Sequence, residues 1–480
     1  MYTYLAAILL FVPIALGVWC VGGRREWSLQ LLTQTLLWAG ILLHLLFLFR
    51  LYGEQRHPAR DSKPVSWYEP LTVWAILVPW VALILLGWKG TYNPAYVPLD
   101  NTLLSPLLPL EHAERQPTTI NPVRSRLYLG FHAALTVFLA GAWLTLRTRR
   151  AIRLLLALIL ANGALLTVLG IAAKAGGSEK MLWLIESHTR SFFATIYYKN
   201  HWGGLILLWV GIGMGLAIDA WRRSRAEERT PEFTLACLIL LFPMLTSLIM
   251  AEARASALVA IPLTFLFVGG LLRFGLRSRQ HLLGYCAWLA IIVSMLGALW
   301  WVAHPQATRM YERSERQLDW LVDGESIPFN ARISAYRSTL SVFAERPVWG
   351  WGAGSFAYLY PLHAEEELIQ PDGKPLFFEF AHNDYLQLLA EHGVVGGVLV
   401  LLPPVLALIL ARRYRWSHLA IWLSAGLAGL LLLAAMDFPF GNPAVTATFW
   451  LLFAAALAHR RLSTPEVRGP AGGRGVNNAA

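Results

Sequence analysis

Charged residues are scarce in this sequence. Only 14% of its 480 residues are Asp, Glu, Lys or Arg, whereas 56% are hydrophobic. A soluble domain carries about 25% charged residues, so the composition excludes an ordinary soluble protein. The apolar runs are as long as membrane-spanning helices and lack the alternating polarity of outer-membrane strands. The sequence therefore predicts an all-α integral membrane protein.

Motifs for metals and nucleotides are also missing. The sequence contains no HExxH, no CxxC and no P-loop, and its predicted outer loops contain no DxD or ExD pair. The three cysteines, Cys20, Cys237 and Cys286, lie far apart in apolar segments, which is typical of buried free thiols. We therefore expect no metal site and no cofactor, and ATP-driven transport has no support.

Apolar runs long enough to cross a bilayer, about 20 residues, occur at twelve places. They are, approximately, residues 3–21, 29–49, 69–88, 127–146, 154–173, 202–221, 233–251, 256–272, 282–303, 386–410, 417–436 and 444–458. Four parts follow: residues 1–303 with nine spans, a large loop at 304–385, residues 386–462 with three spans, and a disordered tail at 463–480.

Basic residues predict the orientation of these spans. The sequence has 40 Lys and Arg against 29 Asp and Glu, and in a membrane protein this excess marks cytoplasmic loops rather than nucleic-acid binding. The basic clusters fall in every second loop, at 50–63, 147–153, 222–229, 273–279 and 412–415. This alternation predicts that both termini are cytoplasmic. Arg24 and Arg25 are exceptions, since they fall in a predicted outer loop.

The predicted outer segments are 89–126, 174–201, a tight turn at 252–254, 304–385 and 437–443. The longest should form a helical cap, with an amphipathic helix at 312–324 and a second helix that begins after Asn330 as N-cap. The second helix is expected to bury one face, formed by Ile333, Tyr336, Leu340 and Phe343. Pro347 and the glycine-rich run 350–354 should end it in a turn.

A polar cluster, His382-Asn383-Asp384-Tyr385, precedes the tenth span. If the helix begins near Asn383, then His382 lies at its amino end, where free N–H groups and the helix dipole favour an anionic ligand. Imidazole titrates near neutral pH, which suits removal of a proton from a sugar hydroxyl. A simple polar cap at the helix entrance explains His382 equally well.

Three arginines outside this cluster are candidates for anion binding. Arg254 lies between two spans, and a charge so close to hydrocarbon is by default functional, although pairing with Glu252 is an alternative. Arg332 and Arg337 lie on the predicted loop helix, where solvated arginines are common. Chemistry alone does not separate these two from each other or from the neighbouring Arg346.

Lys199, Asn200 and His201 open the sixth span, after a loop that contains Arg190. These four residues could contact an anionic substrate, but anchoring of the span at the interface is slightly favoured. Asp437 follows the eleventh span. It could orient a basic partner or simply end the helix before Pro439.

Several of these pieces together resemble one family. His382-Asn383, nine residues, Gly393, two residues and Gly396 resemble the signature of the bacterial O-antigen ligase and O-antigen polymerase superfamily. The Asn330-Ala-Arg332 segment with its following glycine-rich turn, YYKNHWGGL and DFPFGNPA resemble further segments of that family, and Arg254 lies where the family has another arginine. The resemblance covers about residues 170–455. Here Ala253 and Ala255 flank Arg254, where the family often has Ser or Gly.

The resemblance implies a GT-C-like membrane fold and a metal-independent, inverting glycosyltransferase that acts at the periplasmic face of the bacterial inner membrane. The implied donor is a glycan on undecaprenyl diphosphate. Arg254 and Arg332 match arginines expected to hold the diphosphate, and His382 matches the histidine expected to activate the acceptor hydroxyl. Asn383, Lys199, Asn200, His201, Arg190, Arg337 and Asp437 complete the predicted substrate-binding residues.

Three activities are open within this family, and they differ in the acceptor of the glycan. Lipid A–core would make the protein an O-antigen ligase, a second lipid-linked unit would make it a polymerase, and a serine of a protein would make it an O-oligosaccharyltransferase. The single large outer loop favours the ligase or the polymerase, because protein-transferring members often carry an additional carboxy-terminal domain that this short tail lacks. Of these two the ligase is narrowly favoured, with the polymerase close behind. A lipid-linked sugar flippase is the alternative of a different class, but it would need charges near the middle of several spans.

Overall fold

The computed structural model describes residues 2–56, 68–100, 105–187, 192–227, 232–275, 327–364 and 377–464. The helices within these ranges are α1 (Tyr2–Trp19), α2 (Glu26–Arg56), α3 (Tyr68–Gly90), α4 (Pro122–Thr145), α5 (Arg149–Ala175), α6 (Lys199–Ala226), α7 (Glu232–Met250), α8 (Arg254–Gly275), α9 (Ile327–Glu345), α10 (Phe356–Leu359), α11 (Asp384–Ala411), α12 (His418–Ala434) and α13 (Pro443–Ser463). Two small antiparallel hairpins pair β1 (Tyr96–Pro98) with β2 (Leu107–Pro109), and β3 (Lys180–Met181) with β4 (Ile185–Glu186).

The predicted class, an all-α membrane protein, is confirmed. Nine helices in the described part of the chain, α1 to α8 and α11, are long and apolar enough to cross a membrane. The shorter α12 and the helix α13 coincide with the last two predicted spans. The predicted span at 282–303 and the predicted amphipathic helix at 312–324 lie outside the described residues.

Helix α6 forms the centre of the bundle. Its side chains are buried almost from end to end, and Trp202 is fully enclosed. Small residues allow close packing: a Cβ atom on Gly211 would lie 3.0 Å from the Cα atom of Gly426 in α12. Between His201 and Asp219 the sequence of α6 is apolar or glycine throughout. The middle of the bundle is therefore built for packing.

The two ends of the bundle differ in character. At one end, Asp219 accepts from Arg153 at 2.8 Å and from Arg223 at 3.2 Å, and Arg460 donates to the carbonyl oxygens of Ala411 and Tyr414. Arg153, Arg223 and Tyr414 belong to the basic clusters predicted to be cytoplasmic. The opposite end, here called the site end, carries residues 350–354, 377–383 and 435–441. Which face of the membrane each end takes stays a prediction.

A cap covers the site end, and its main helix differs from the prediction. Helix α9 begins at Ile327, so Asn330 lies within its first turn and is not the N-cap. Its buried face carries the small or branched residues Ala335, Ser338, Thr339 and Val342, whereas Leu340 is 48% exposed. Ile333, Tyr336 and Phe343 of the predicted apolar face are half-buried, and the prediction was wrong at Leu340, because α9 packs against α11 through its smaller residues.

The glycine-rich turn docks directly on a break in α11. Gly393 has φ +63° inside that helix, and a Cβ atom there would lie 2.3 Å from the carbonyl oxygen of Val348. Gly350 also has positive φ, and a Cβ atom on it would lie 2.5 Å from the Glu391 carbonyl group. Gly352 N donates to Glu391 O at 2.7 Å. Glycine is thus required at both surfaces, because the two backbones touch.

Arg346 fastens the segment between α3 and α4 to this cap. Its guanidinium donates to the carbonyl oxygens of Glu114 and Gln116, each at 2.7 Å, and lies over the Trp351 ring. Burial lowers the pKa of Arg346, and the neighbouring Glu114 partly offsets that effect. This arginine therefore acts as a structural fastener of the cap.

Candidate active site

His382 lies just before α11 in a constrained backbone conformation. The helix begins at Asp384, and the side chain of the N-cap Asn383 accepts from Tyr385 N and Leu386 N, so His382 is at the amino end as predicted. Its φ is +53°, which is uncommon for a residue other than glycine. The hydroxyl of Tyr336 on α9 donates to His382 O at 2.9 Å. The cap and the helix therefore hold this peptide together.

A buried relay supports the peptide on its other side. Ala381 N donates to the Gln387 side chain at 3.1 Å, and Gln387 in turn donates to Glu391. The Glu391 carboxylate also accepts from the backbone of the glycine-rich turn, at Gly354 N, at 2.9 Å. The turn thus contributes to the placement of His382 without forming a phosphate cradle.

Asp437 is the buried centre of the site. Its side chain is fully enclosed, and it accepts from the Asn200 amide and, at 2.9 Å, from Phe438 N. Asn383 donates to Ala435 O at 3.0 Å, which ties the loop of Asp437 to the start of α11. The loop that carries Asp437 is therefore joined directly to the segment that carries His382.

Arg332 and His382 converge on this carboxylate. His382 Nδ1 lies 3.8 Å from Asp437 Oδ1, and a guanidinium nitrogen of Arg332 lies 3.5 Å from Oδ2. A second Arg332 nitrogen donates to Met436 O at 3.4 Å. These contacts are long for hydrogen bonds, and 38% of the Arg332 side chain is exposed. Arg332 therefore has N–H groups left to bind a ligand.

Electrostatics keep Asp437 ionised. Burial alone would raise the pKa of Asp437, but the neighbouring His382 and Arg332 outweigh it and hold the pKa below its usual range. Burial and the Asp437 carboxylate raise the pKa of Tyr198, so this phenol keeps its proton. The site thus combines one fixed negative charge with two basic side chains, which leaves it suited to an anion.

Aromatic rings enclose the His382 imidazole. The ring packs edge-on against Phe438 with centroids 4.8 Å apart and against Phe378 at 5.3 Å. The Tyr198 ring also stacks on Phe438, with the two centroids 5.0 Å apart. The histidine side chain is 16% exposed, and its Nδ1 atom is buried without a hydrogen-bond partner among the described residues. The imidazole is therefore oriented chiefly by packing and by Asp437.

The predicted residues at the start of α6 stand behind Asp437. Helix α6 begins at Lys199, as predicted, and Lys199 is half-buried. Asn200 and His201 are both buried; Asn200 donates to Asp437, and His201 Nε2 lies 3.1 Å from Phe438 O. Asn200 and His201 therefore support the loop of Asp437, and direct contact with substrate stays a prediction for them.

Arg254 is the first residue of α8, at the tight turn predicted from the sequence. The preceding Glu252 has φ +55°, and Arg254 N donates to Glu252 O at 3.1 Å. A Cβ atom on Gly203 of α6 would lie 3.3 Å from the side chain of Ala253. The turn of Arg254 therefore packs beside the first turn of α6, at the site end.

One predicted binding residue, Arg337, does not join this cluster, and another, Arg190, lies outside the described residues. Arg337 is exposed on α9 and follows Arg332 by five residues, which places it about 140° away around the helix. Of the two arginines, the structure brings only Arg332 to Asp437.

Sequence reasoning missed a pair of arginines beside the site. Arg24 and Arg124 both contact Glu379, at 2.7 and 2.9 Å, three residues before His382. Burial would raise the pKa of Glu379, but the two guanidiniums hold it below its usual range. The signal was present, since Arg24 violates the alternation of basic loops. The ion pair with Glu379 accounts for an arginine in a loop that the alternation predicts to lie outside.

One family model matches the chain. It is described as O-antigen ligase and matches residues 239–401, less than half of the chain. The matched stretch contains Arg254, Arg332 and His382, whereas Asp437 lies outside it. The match confirms the predicted relationship to the O-antigen ligase superfamily and supports a membrane glycosyltransferase of the ligase or polymerase type. No curated protein matches the chain.

Proposed function

From this relationship to the O-antigen ligase superfamily, we propose that the protein is an O-antigen ligase. It moves a glycan from undecaprenyl diphosphate to a hydroxyl group of lipid A–core, at the periplasmic face of the bacterial inner membrane. The observation that carries this proposal is the convergence of His382 and Arg332 on the buried Asp437 at the amino end of α11. A basic imidazole and an anion-binding guanidinium are the two groups that this transfer needs.

His382 acts as the general base. Asp437 faces Nδ1 and favours the tautomer that carries its proton there, which leaves Nε2 free to accept a proton. The acceptor oxygen attacks the anomeric carbon as its proton passes to Nε2. The bond from that carbon to the diphosphate oxygen breaks, and its electron pair leaves with the diphosphate. Attack opposite the leaving group inverts the anomeric configuration.

Arginines stabilise the leaving group. The departing undecaprenyl diphosphate gains negative charge, which the half-exposed guanidinium of Arg332 can bind through two N–H groups. Arg254 supplies a second positive charge from the turn at the same end. Such donors stabilise the charge that develops in the transition state, so the reaction is proposed to proceed without a metal ion. Activity that is lost in excess EDTA and restored by a divalent cation would contradict this point.

The acceptor is tested by offering both candidates to the purified protein. Undecaprenyl-diphosphate glycan is mixed with equal amounts of lipid A–core and of a second lipid-linked unit, in detergent and in vesicles. We expect glycosylated lipid A–core from the wild type and no product from His382→Ala. Lengthened lipid-linked glycan as the main product would instead identify a polymerase. No transfer to either acceptor, with donor binding intact, would contradict both.

The flippase alternative fits the bundle less well. A transport path needs polar or charged groups near the middle of the membrane. The central helix α6 is apolar or glycine from Trp202 to Ile218, and the ion pairs at Glu379, Asp219 and Asp437 lie near the helix ends. These features favour an enzyme that works at one surface.

A further inference from the structure

The segment that carries His382 is held by an ionic bridge from the membrane bundle. Glu379 accepts from Arg24, in the turn between α1 and α2, and from Arg124, at the start of α4. All three side chains are largely shielded, with exposed fractions of 18%, 20% and 29% for Arg24, Arg124 and Glu379. A carboxylate bound by two guanidiniums in this setting is a firm attachment point.

A stack of planar groups leads from the same bridge to the catalytic imidazole. The Arg24 guanidinium lies over the Phe380 ring, 4.7 Å from its centroid. Phe380 stacks on Phe438 at 4.5 Å with the rings almost parallel, and the Phe438 and His382 rings are nearly perpendicular with centroids 4.8 Å apart. A Cβ atom on Gly441 would lie 2.9 Å from Phe380, so the ring has little room to shift. Arg24 therefore touches one end of a packed row and His382 the other.

We propose that Arg24 is a positioning residue for His382, acting through Glu379 and Phe380. This role rests on the proposed function only in taking His382 as the general base. Arg24 does not contact the acceptor or the diphosphate in this assignment. It fixes the 377–383 segment from two sides, by charge at Glu379 and by stacking at Phe380. Arg24, which departs from the predicted alternation of basic loops, thus has a positioning role at the site.

The proposal distinguishes Arg24 from its neighbour in the same turn. Arg25 points elsewhere: it lies over the Tyr197 ring at 5.5 Å and reaches Glu186 O at 3.5 Å. Both arginines carry the same charge, are adjacent in the chain and are half-buried. Arg25→Gln is therefore a matched control for the loss of one positive charge at this membrane boundary.

The test measures the reactivity of His382 as well as glycan transfer. Purified wild type, Arg24→Gln and Arg25→Gln are treated with diethyl pyrocarbonate, and labelling of His382 is followed by peptide mass spectrometry with the other histidines as internal references. We expect the rate at His382 to rise about threefold or more in Arg24→Gln, with kcat about 10- to 100-fold lower, because small misplacements of a catalytic group are costly. KM for the donor should stay within about twofold, since binding groups are untouched. Arg25→Gln should match the wild type in all three.

A double-mutant cycle tests the route. If Arg24 acts through the ring stack, Arg24→Gln combined with Phe380→Leu should lower kcat little more than the worse single variant. Arg24→Lys keeps the charge near Glu379 but loses the planar face, so its kcat should lie between those of the wild type and Arg24→Gln. This variant also serves if Arg24→Gln does not fold.

Three results would overturn the proposal. They are unchanged labelling of His382 in the folded Arg24 variants, a loss in Arg24→Gln that appears mainly in KM, and independent, multiplicative losses in the double-mutant cycle. Labelling needs no substrate, so it decides the positioning of His382 even if the wild type transfers no glycan. A wild type that transfers no glycan would contradict the proposed function but would not affect the positioning result.

Discussion

Replacing Asp437 by Asn removes one negative charge from the centre of the candidate site at almost constant volume. Asn can still accept from Phe438 N through its side-chain oxygen, but its amide nitrogen then faces the Asn200 amide, which donates to Asp437 in the wild type. The change that bears on catalysis is the loss of the negative charge beside His382 Nδ1, 3.8 Å away. During transfer the imidazole becomes a cation, and the carboxylate then stabilises it.

The size of this effect follows from the distance. Two unit charges 3.8 Å apart attract by about 4 kcal/mol at an effective dielectric constant of about 20. Because about 1.4 kcal/mol corresponds to a tenfold change in rate, the full loss would lower kcat by about 10³-fold. Solvent at the partly exposed imidazole screens some of this attraction. We therefore expect a loss in kcat of about 10²- to 10³-fold.

The assay is steady-state transfer from undecaprenyl-diphosphate glycan with the acceptor saturating. The KM for the donor should not rise, because Arg332 keeps its charge. It loses only the Asp437 carboxylate, which competes with the diphosphate of the donor for the guanidinium. Asp384→Asn is the matched control, since Asp384 is a nearby carboxylate that accepts from Phe440 N and is not paired with His382. It should stay within about threefold of the wild type. A loss of less than fivefold in Asp437→Asn, or one confined to KM, would refute this reasoning.

Three further predictions concern binding, packing and pH. Arg332→Ala should raise the donor KM at least about tenfold, and Arg332→Lys should raise it less because it keeps the charge but not the planar fork; equal KM values would contradict diphosphate binding. Gly393→Ala should lower the free energy of unfolding by about 2 kcal/mol or more, since its Cβ would meet Val348 O at 2.3 Å, whereas Gly397→Ala should change it by less than about 1 kcal/mol; thermal unfolding in detergent compares the two. The pKa of Glu379 is lower in the folded protein than its usual value of 4.5, so its stabilisation is complete above about pH 5 and is lost as the pH falls through the folded pKa. Melting temperatures between pH 7 and pH 3 should therefore fall less in Glu379→Gln than in the wild type.

Local patterns were sufficient to predict much of this molecule. Apolar length predicts a spanning helix because the backbone must satisfy its own hydrogen bonds in lipid, and the helices described at eleven of the twelve predicted spans follow from that rule. The helix start after His382 was predictable for the same kind of reason, because Asn383 is a good N-cap. Capping and span length depend on a few neighbouring residues.

The face of α9 depended on tertiary packing. A count of large apolar side chains favours Leu340 as a core residue, yet the structure leaves it 48% exposed. The helix is buried through Ala335 and Thr339 because its partner α11 comes close. The large apolar side chains and the buried side chains therefore follow different faces of α9. Which face is buried depends on where the partner helix packs.

The long-range bridge at Glu379 was not predictable either. Arg24 and Glu379 are 355 positions apart, and no local pattern joins them. The position of Arg24 in a predicted outer loop singled out this residue, but it did not identify Glu379 as its partner. A similar limit applied to Asn200, whose partner Asp437 lies 237 positions later. Sequence patterns thus identified candidate side chains, while the fold supplied the partners that orient them.

The backbone of His382 shows why so many distant partners meet there. A left-handed conformation at a residue other than glycine costs on the order of 1 kcal/mol or more, and His382 adopts it with φ +53°. The contacts at Ala381 N, His382 O and Asn383 come from different parts of the chain, and each is compatible with that conformation. Together they can offset the strain, since each hydrogen bond contributes about 1 kcal/mol. The cap and the bundle are therefore both needed to direct this imidazole, because neither alone supplies all of its supports.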